Sequence, residues 1–285
     1  MTALGPVQRV ARSRPAQAVL TRPRVARVSS VLIQSTTVRS PLRFVWRELS
    51  ASGRLAKYVL RKSGRPIYIR HNTADPLVLD EIFYSGHYRL PENAARFLDG
   101  LGRPPRVVDL GANIGLFGVW VLDRFPGAEI TAFEPDPTNA EVARRCIDAN
   151  AAGDRWRLVE AAASNRDGRI SFLAGEFSRS RIEPGSGGIE VEAMDVFPYL
   201  DGIDLAKIDI EGGEWALLGD PRFRDLDVPV LVVEYHADQA PDADPREAAL
   251  AAVREAGYEA EVVEEFGPGQ GVLWAWRPEV SSARS

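Results

Sequence analysis

The chain has 285 residues, 45% of them hydrophobic and 26% charged, with a net charge of −5, enough apolar material for one sizeable core with an extension. One cysteine, Cys146, and three histidines, His71, His87 and His236, exclude an internal disulfide and argue against a Cys/His zinc centre. No run of about 18 apolar residues offers a membrane span, and with a lone thiol this points to the cytoplasm.

The charge is uneven. Residues 1–47 hold nine arginines and no acidic side chain, leaving 26 basic against 40 acidic side chains in the rest. Residues 1–45 are expected to form a basic, disordered arm, because Pro6, Pro15 and Pro23 interrupt any amphipathic helix there. Such an arm could meet nucleic acid, an anionic membrane or the acidic body of its own protein, and its acid-free start also resembles a transit peptide; a tail without a specific partner is the expectation. Residues 46–104 read as a helical lead-in. A helical pattern covers 42–60, a strand 66–70, and a second helix, 78–83, opens at Asp75-Pro76 and runs into Gly86-His87-Tyr88.

From 105 to 278 the alternation becomes regular. Strand 106–110, helix 115–124, strand 129–134, helix 138–150 and strand 157–160 make a βαβαβ unit, hence a parallel sheet with right-handed crossovers. Two strands, 169–173 and 189–193, flank a Gly- and Ser-rich loop at 175–188. The alternation resumes with strand 205–210, helix 214–218, strand 230–235 and helix 246–256. The closing pair, 259–263 and 271–276, joined by Gly267-Pro268-Gly269, reads as an antiparallel hairpin. The fold class is therefore α/β, with a mostly parallel seven-stranded sheet ending in an antiparallel hairpin, the layout of the methyltransferase variant of the doubly wound sheet.

The densest functional signal is Val107-Val108-Asp109-Leu110-Gly111-Ala112-Asn113-Ile114-Gly115, an apolar strand breaking into a glycine turn ahead of a helix. Glycine at 111 admits backbone angles other residues avoid, so the turn's N–H groups are expected to approach a nucleotide-like cofactor. A dinucleotide turn needs G-x-G-x-x-G, and Asn113 stands in place of its second glycine, which disfavours NAD. S-adenosylmethionine, with an amino-acid moiety and no phosphate, better suits a turn offering backbone amides, the Asn113 amide and the Asp109 carboxylate. About 20 residues beyond the turn, Glu134-Pro135-Asp136 places a carboxylate where a ribose diol is held, with Pro135 stopping the strand so that Glu134 faces the crevice.

The fourth strand carries Lys207, Asp209 and Glu211 at a spacing of two, and so on one face, before Gly212-Gly213 turn the chain. Lys207 is expected to pair with Asp109 or Glu234, leaving Asp209 and Glu211 to meet ligand. The fifth strand ends Glu234-Tyr235-His236, placing Glu234 and His236 together at the sheet's mouth.

These runs, with Phe133-Glu134-Pro135, Leu205 to Leu218 (L-A-K-I-D-I-E-G-G-E-W-A-L-L) and Val233-Glu234-Tyr235-His236, resemble the FkbM-type methyltransferase family over about residues 70–276. Upstream, Arg70, Thr73 and Asp75 followed by Glu81-Ile82-Phe83 and Tyr88 resemble its lead-in. Gly213 stands where many relatives carry alanine, and the loop at 175–188 is individual to this chain. The resemblance implies a class I, Rossmann-like methyltransferase using S-adenosylmethionine on a hydroxyl of a polyketide, sugar or related metabolite. On this reading Asp109, Gly111, Ala112, Asn113, Gly115, Glu134, Pro135, Ala162 and Asp209 hold the cofactor, and Glu81, Tyr88 and Glu234 meet the acceptor.

Methyl transfer from a sulfonium is an in-line displacement, so the protein must align the reactants, exclude water and help deprotonate the alcohol. His236 is the expected general base because its unperturbed pKa lies near neutrality, with Asp209 as the other base and Glu211 orienting the acceptor. A variant lets Asp209 and Glu234 hold Mg²⁺ against a vicinal diol; otherwise no metal site is expected. A nicotinamide-dependent oxidoreductase and a non-catalytic binding module are the rivals, the first disfavoured by Asn113 and the second by the lack of a base-stacking surface. No nucleic-acid partner is expected, and the oligomeric state stays open.

Overall fold

The computed structural model describes residues 23–50, 54–172, 189–267 and 269–279. Two helices, α1 (Pro23–Ser35) and α2 (Pro41–Leu49), lead into an antiparallel hairpin of β1 (Leu55–Val59) and β2 (Pro66–Arg70). Residues 23–45 therefore do not form the disordered arm that the prolines suggested. Pro23 and Pro41 each open a helix, where a missing N–H costs nothing, and Phe44 is fully buried against Tyr58 and His71. Residues 1–22, and the loop at 175–188, lie outside the described residues.

The helix expected over 42–60 is also corrected: α2 stops at Leu49, and Leu55–Val59 alternates Ala56 and Tyr58 inward with Lys57 outward. Over so few residues the two periods are hard to tell apart. A buried polar tie fastens α2 to the hairpin: His71 Nδ1 lies 2.9 Å from Glu48 Oε2, and its Nε2 lies 2.7 Å from the Tyr58 hydroxyl. The rest of the lead-in is helical, with α3 (Asp75–Asp80) running into a π-helical turn, Glu81–Ser85, and then α4 (Glu92–Asp99).

The sheet that follows comprises β3 (Arg106–Leu110), β4 (Glu129–Phe133), β5 (Trp156–Val159), β9 (Leu205–Ile208), β10 (Val230–Tyr235), β11 (Glu259–Gly267) and β12 (Gln270–Trp276). Its order is β11-β12-β10-β9-β3-β4-β5; the five strands from β10 to β5 run parallel, and β12 is antiparallel to both its neighbours. Helices α5 (Leu116–Arg124), α6 (Pro137–Ala149), α7 (Glu214–Leu218) and α8 (Pro245–Glu255) make the crossovers. A small side sheet of β6 (Ala162–Ser164), β7 (Gly168–Phe172) and β8 (Ile189–Asp195) fills the excursion between β5 and β9.

Both faces of the main sheet are covered, which is why β9 and β10 read as continuous buried runs. Val107, Leu205, Val232 and Trp274 face a core shared with α5, α6 and the lead-in hairpin, whereas Val108, Ala206, Val233 and Leu273 face α7 and α8. Gly118 on α5 admits the Trp156 ring, which a Cβ there would meet at 2.0 Å. Strand order reverses between β3 and β9, so the loops after these two strands open a crevice at the carboxyl rim.

Candidate active site

The turn after β3 is built around Gly111, whose φ is +81°. A Cβ at this position would lie 1.7 Å from the Asp209 carbonyl oxygen, so only glycine lets the β3 and β9 loops touch. The expectation that the turn's amides face a ligand is not met. Gly111 N and Ala112 N donate to the Phe133 carbonyl at 3.1 and 2.8 Å, Asn113 N donates to Glu134 Oε2 at 2.7 Å, and Gly115 N closes on the Ala112 carbonyl at 2.8 Å. The turn folds over the end of β4, and its amides are satisfied there. Half-buried Asn113, at φ +50°, is left with its side chain to offer a ligand.

Glu134 is buried where β4 ends and Pro135 turns the chain. It accepts Asn113 N on one oxygen and Asp136 N, at 2.9 Å, on the other. Burial, partly offset by these bonds, pushes its pKa up to about 7. Oε1 also accepts a long bond from Asn139 Nδ2 at 3.5 Å, so it is Oε2 that keeps a lone pair for a further donor such as a ribose hydroxyl.

Lys207, in the middle of β9, ties the rim together. Its Nζ lies 2.9 Å from the Gly111 carbonyl, 2.8 Å from Asp209 Oδ2 and 3.5 Å from Asp109 Oδ1. Burial pulls its pKa down, but Asp209 and Asp109 outweigh that and hold the ammonium charged. The expected pairing with Asp109 is present, and Asp209 rather than Glu234 is the second partner. Asp109 is fully buried with neither oxygen in a hydrogen bond, and burial raises its pKa despite Lys207.

Next to this tie, Asp209 and Glu211 after β9, Glu214 at the start of α7 and Glu234 in β10 gather around His236. Its Nε2 lies 3.6 Å from Glu211 Oε2 and 3.7 Å from Glu234 Oε1, and its Nδ1 lies 3.3 Å from Glu214 Oε1 without a well-aligned hydrogen bond. Burial lowers the imidazole's pKa, but Glu214, Asp209 and Glu211 outweigh it and push it up to about 10. His236 is thus an imidazolium at neutral pH, which corrects the expectation of a ready neutral base. Burial and Asp209 push Glu211 up to about 7 and Glu234 well above the ordinary range.

The lead-in closes the group. Tyr88 donates to Glu234 Oε2 at 2.8 Å and stands 3.4 Å from Asp209 Oδ2, with its ring against Phe117. Burial and then Asp209 push Glu81 up to about 7. Glu81, Tyr88, Asp209, Glu211, Glu234 and His236 therefore share one electrostatic neighbourhood. Ala162 does not join it by side chain: it opens β6 and packs with Val191 and Ile170.

Glu214 is the residue the sequence reading missed. Fully buried at the start of α7, it accepts Ile210 N at 2.7 Å and Gly212 N at 2.8 Å, fixing the loop in which Glu211 holds φ +55°. The signal was an acidic residue in a first helical turn directly after Gly212-Gly213.

Among the described residues, Asp209, Glu234 and His236 each place one ligand atom within 4.8 Å of the others. Mg²⁺ matches this set poorly: it favours oxygen donors and water, one ligand here is an imidazole, and Lys207 and Tyr88 already occupy carboxylate oxygens. On the other half of the rim, the buried Asp109 carboxylate and the remaining lone pair of Glu134 Oε2 are acceptors to which a nucleoside with an ammonium group could donate.

A family model described as "Methyltransferase FkbM domain" matches residues 109–260. The 2-O-methyltransferase NoeI of Sinorhizobium fredii is 41% identical over 135 residues, covering 39% of this chain and 54% of that protein. Methyltransferase sdnD of Sordaria araneosa is 36% identical over 153 residues, covering 40% and 59%. The chain spans about half the length of the curated relatives it matches. Precorrin-6y C5,15-methyltransferase from Geobacter metallireducens overlays with a TM-score of 0.40 and 18% identity, over 66% of this chain and 91% of that one.

Proposed function

Because the chain belongs to the FkbM methyltransferase family, we propose that it transfers the methyl group of S-adenosylmethionine to a hydroxyl on a small metabolite, polyketide or glycan. The observation that carries this reading is the juxtaposition, through Lys207, of the Gly111 turn with the carboxylate and imidazolium group on β9 and β10. A relative named as a 2-O-methyltransferase supports an oxygen acceptor. Neither a nicotinamide-dependent oxidoreductase nor a non-catalytic module is favoured for a chain of this family.

Glu134 would hold the ribose diol, and Asp109 and the Asn113 side chain the amino-acid end, with Gly111, Ala112, Gly115 and Pro135 shaping the turn. Bound there, S-adenosylmethionine supplies a methyl group already activated by its sulfonium. Tyr88, Glu81 and Glu234 wall the acceptor side, where excluding water strengthens every polar contact. Glu211, with a pKa of about 7, is matched to accept the hydroxyl proton at neutral pH. His236, held charged by Glu214, donates from Nε2 toward the oxygen as negative charge develops on it. Lys207 aligns Asp209 between the two halves. No helix among the described residues is long and apolar enough to cross a membrane, and the lone, buried Cys146 suits a reducing cytoplasm.

The test is incubation with methyl-labelled S-adenosylmethionine and a panel of hydroxylated saccharides and polyketides. Label in an ether product, with equimolar S-adenosylhomocysteine, is expected. Label only in amine or carboxyl products would overturn the hydroxyl assignment, and no binding of either nucleoside by calorimetry would overturn the cofactor.

A further inference from the structure

We propose that the outward face of α1 and α2 is a docking surface for anionic lipid bilayers. In α2, Leu42, Trp46 and Leu49 recur at i, i+4 and i+7 and so form one stripe, yet they are 85%, 66% and 48% exposed. The helix is held to the body by a different face, through Phe44 and Glu48. Its outer apolar residues are thus not used by the fold. Val28 and Leu32, at i and i+4 of α1, add 40% and 51% exposed side chains on the helix packed beside it. Exposed apolar side chains recurring on two helices packed together mark an interaction surface.

The surrounding charge identifies the occupant. Arg39 and Arg43 are exposed and Arg47 is half-buried, all within or next to α2. Glu48, the acidic residue of α2, is turned inward onto His71 and Asn72. In the sequence, residues 1–47 hold nine arginines and no acid, against an excess of acid in the remainder. An acidic protein surface would satisfy the arginines but leave the Leu–Trp–Leu stripe in water. A bilayer of anionic lipid satisfies both, with the stripe in the acyl boundary, the Trp46 ring at headgroup depth and arginines extended to phosphates.

The experiment is co-sedimentation of the full chain with phosphatidylglycerol/phosphatidylcholine vesicles and with phosphatidylcholine vesicles alone. Binding to the anionic vesicles is expected, falling at least about tenfold when salt rises from about 0.1 M to about 0.5 M. The Leu42→Ser/Trp46→Ser variant, whose side chains are exposed and whose fold is checked by circular dichroism, is expected to lose a similar factor. Arg39→Gln/Arg43→Gln weakens binding while leaving the stripe intact. Equal binding to both vesicle types, binding to neither, or undiminished binding by the Leu42/Trp46 variant overturns the proposal. So does a dimer in sedimentation velocity that the same variant dissociates, since the face would then belong to a second copy of the chain.

Discussion

Replacing Glu214 with glutamine removes the carboxylate 3.3 Å from His236 Nδ1 while keeping the length of the side chain. In the folded protein His236 has a pKa of about 10 against an ordinary 6.5, the pull of burial being outweighed first by Glu214 and then by Asp209 and Glu211. At about 1.4 kcal/mol per pH unit, that difference favours the imidazolium by at most about 5 kcal/mol. His236 is only 6% exposed, so solvent screens little of it. Three carboxylates share the effect, and losing the nearest is expected to lower the pKa by about two units, or about 3 kcal/mol. The folded-state pKa lies above the unfolded one, so this stabilisation is complete below pH 6.5 and fades as pH rises through 10. The variant should therefore be weakest relative to wild type near pH 6, and the gap should narrow at alkaline pH. A constant loss of about 1 kcal/mol should remain, because a glutamine cannot accept both Ile210 N and Gly212 N on paired oxygens. The chain has three histidines, so their ring carbon signals can be followed by NMR across the pH range, alongside urea unfolding at each pH. A wild-type His236 that titrates near 6.5, or a variant in which it titrates unchanged, would refute the electrostatic account of the site.

Lys207→Met leaves Asp109 buried without its ion-pair partner and should cost about 3–5 kcal/mol in urea unfolding; a loss below about 1 kcal/mol would mean Asp109 is already neutral. Gly111→Ala combines a φ of +81° with a 1.7 Å clash against the Asp209 carbonyl, so a destabilisation of about 3 kcal/mol or more is expected in thermal melts. Glu134→Ala should weaken S-adenosylhomocysteine binding by about 10- to 100-fold in calorimetry, and unchanged affinity would move the ribose elsewhere. Treatment with EDTA should leave turnover unchanged; activity lost and then restored by added divalent cation would instead place an ion among Asp209, Glu234 and His236.

What the sequence disclosed most clearly was whatever rests on local pattern. The strands of the main sheet and the approach of Glu134 to the glycine turn follow from apolar runs, breakers and an interval along the chain. What it hid depends on partners far apart. Tyr88 meets Glu234 across 146 residues, and no periodicity reports that. The turn's amides could not be assigned because their acceptor, the Phe133 carbonyl, belongs to the neighbouring strand. The pKa of His236 follows from three carboxylates, Glu214, Asp209 and Glu211, brought to it from the segment after β9, and imidazole's ordinary value carries no trace of them. β1 was mistaken for helix because five residues fit either period, and β6 was missed because three residues carry too little pattern.

A single ammonium, that of Lys207, grips the donor-side turn by its Gly111 carbonyl and the acceptor-side wall by its Asp209 carboxylate. On the proposed assignment, a ligand that shifts one grip and thereby alters the other would link the occupancy of the two halves, each ligand changing the affinity of its counterpart by the same factor. Acceptor libraries screened against empty protein would then report on a binding partner that turnover never uses; saturating S-adenosylhomocysteine belongs in every such screen.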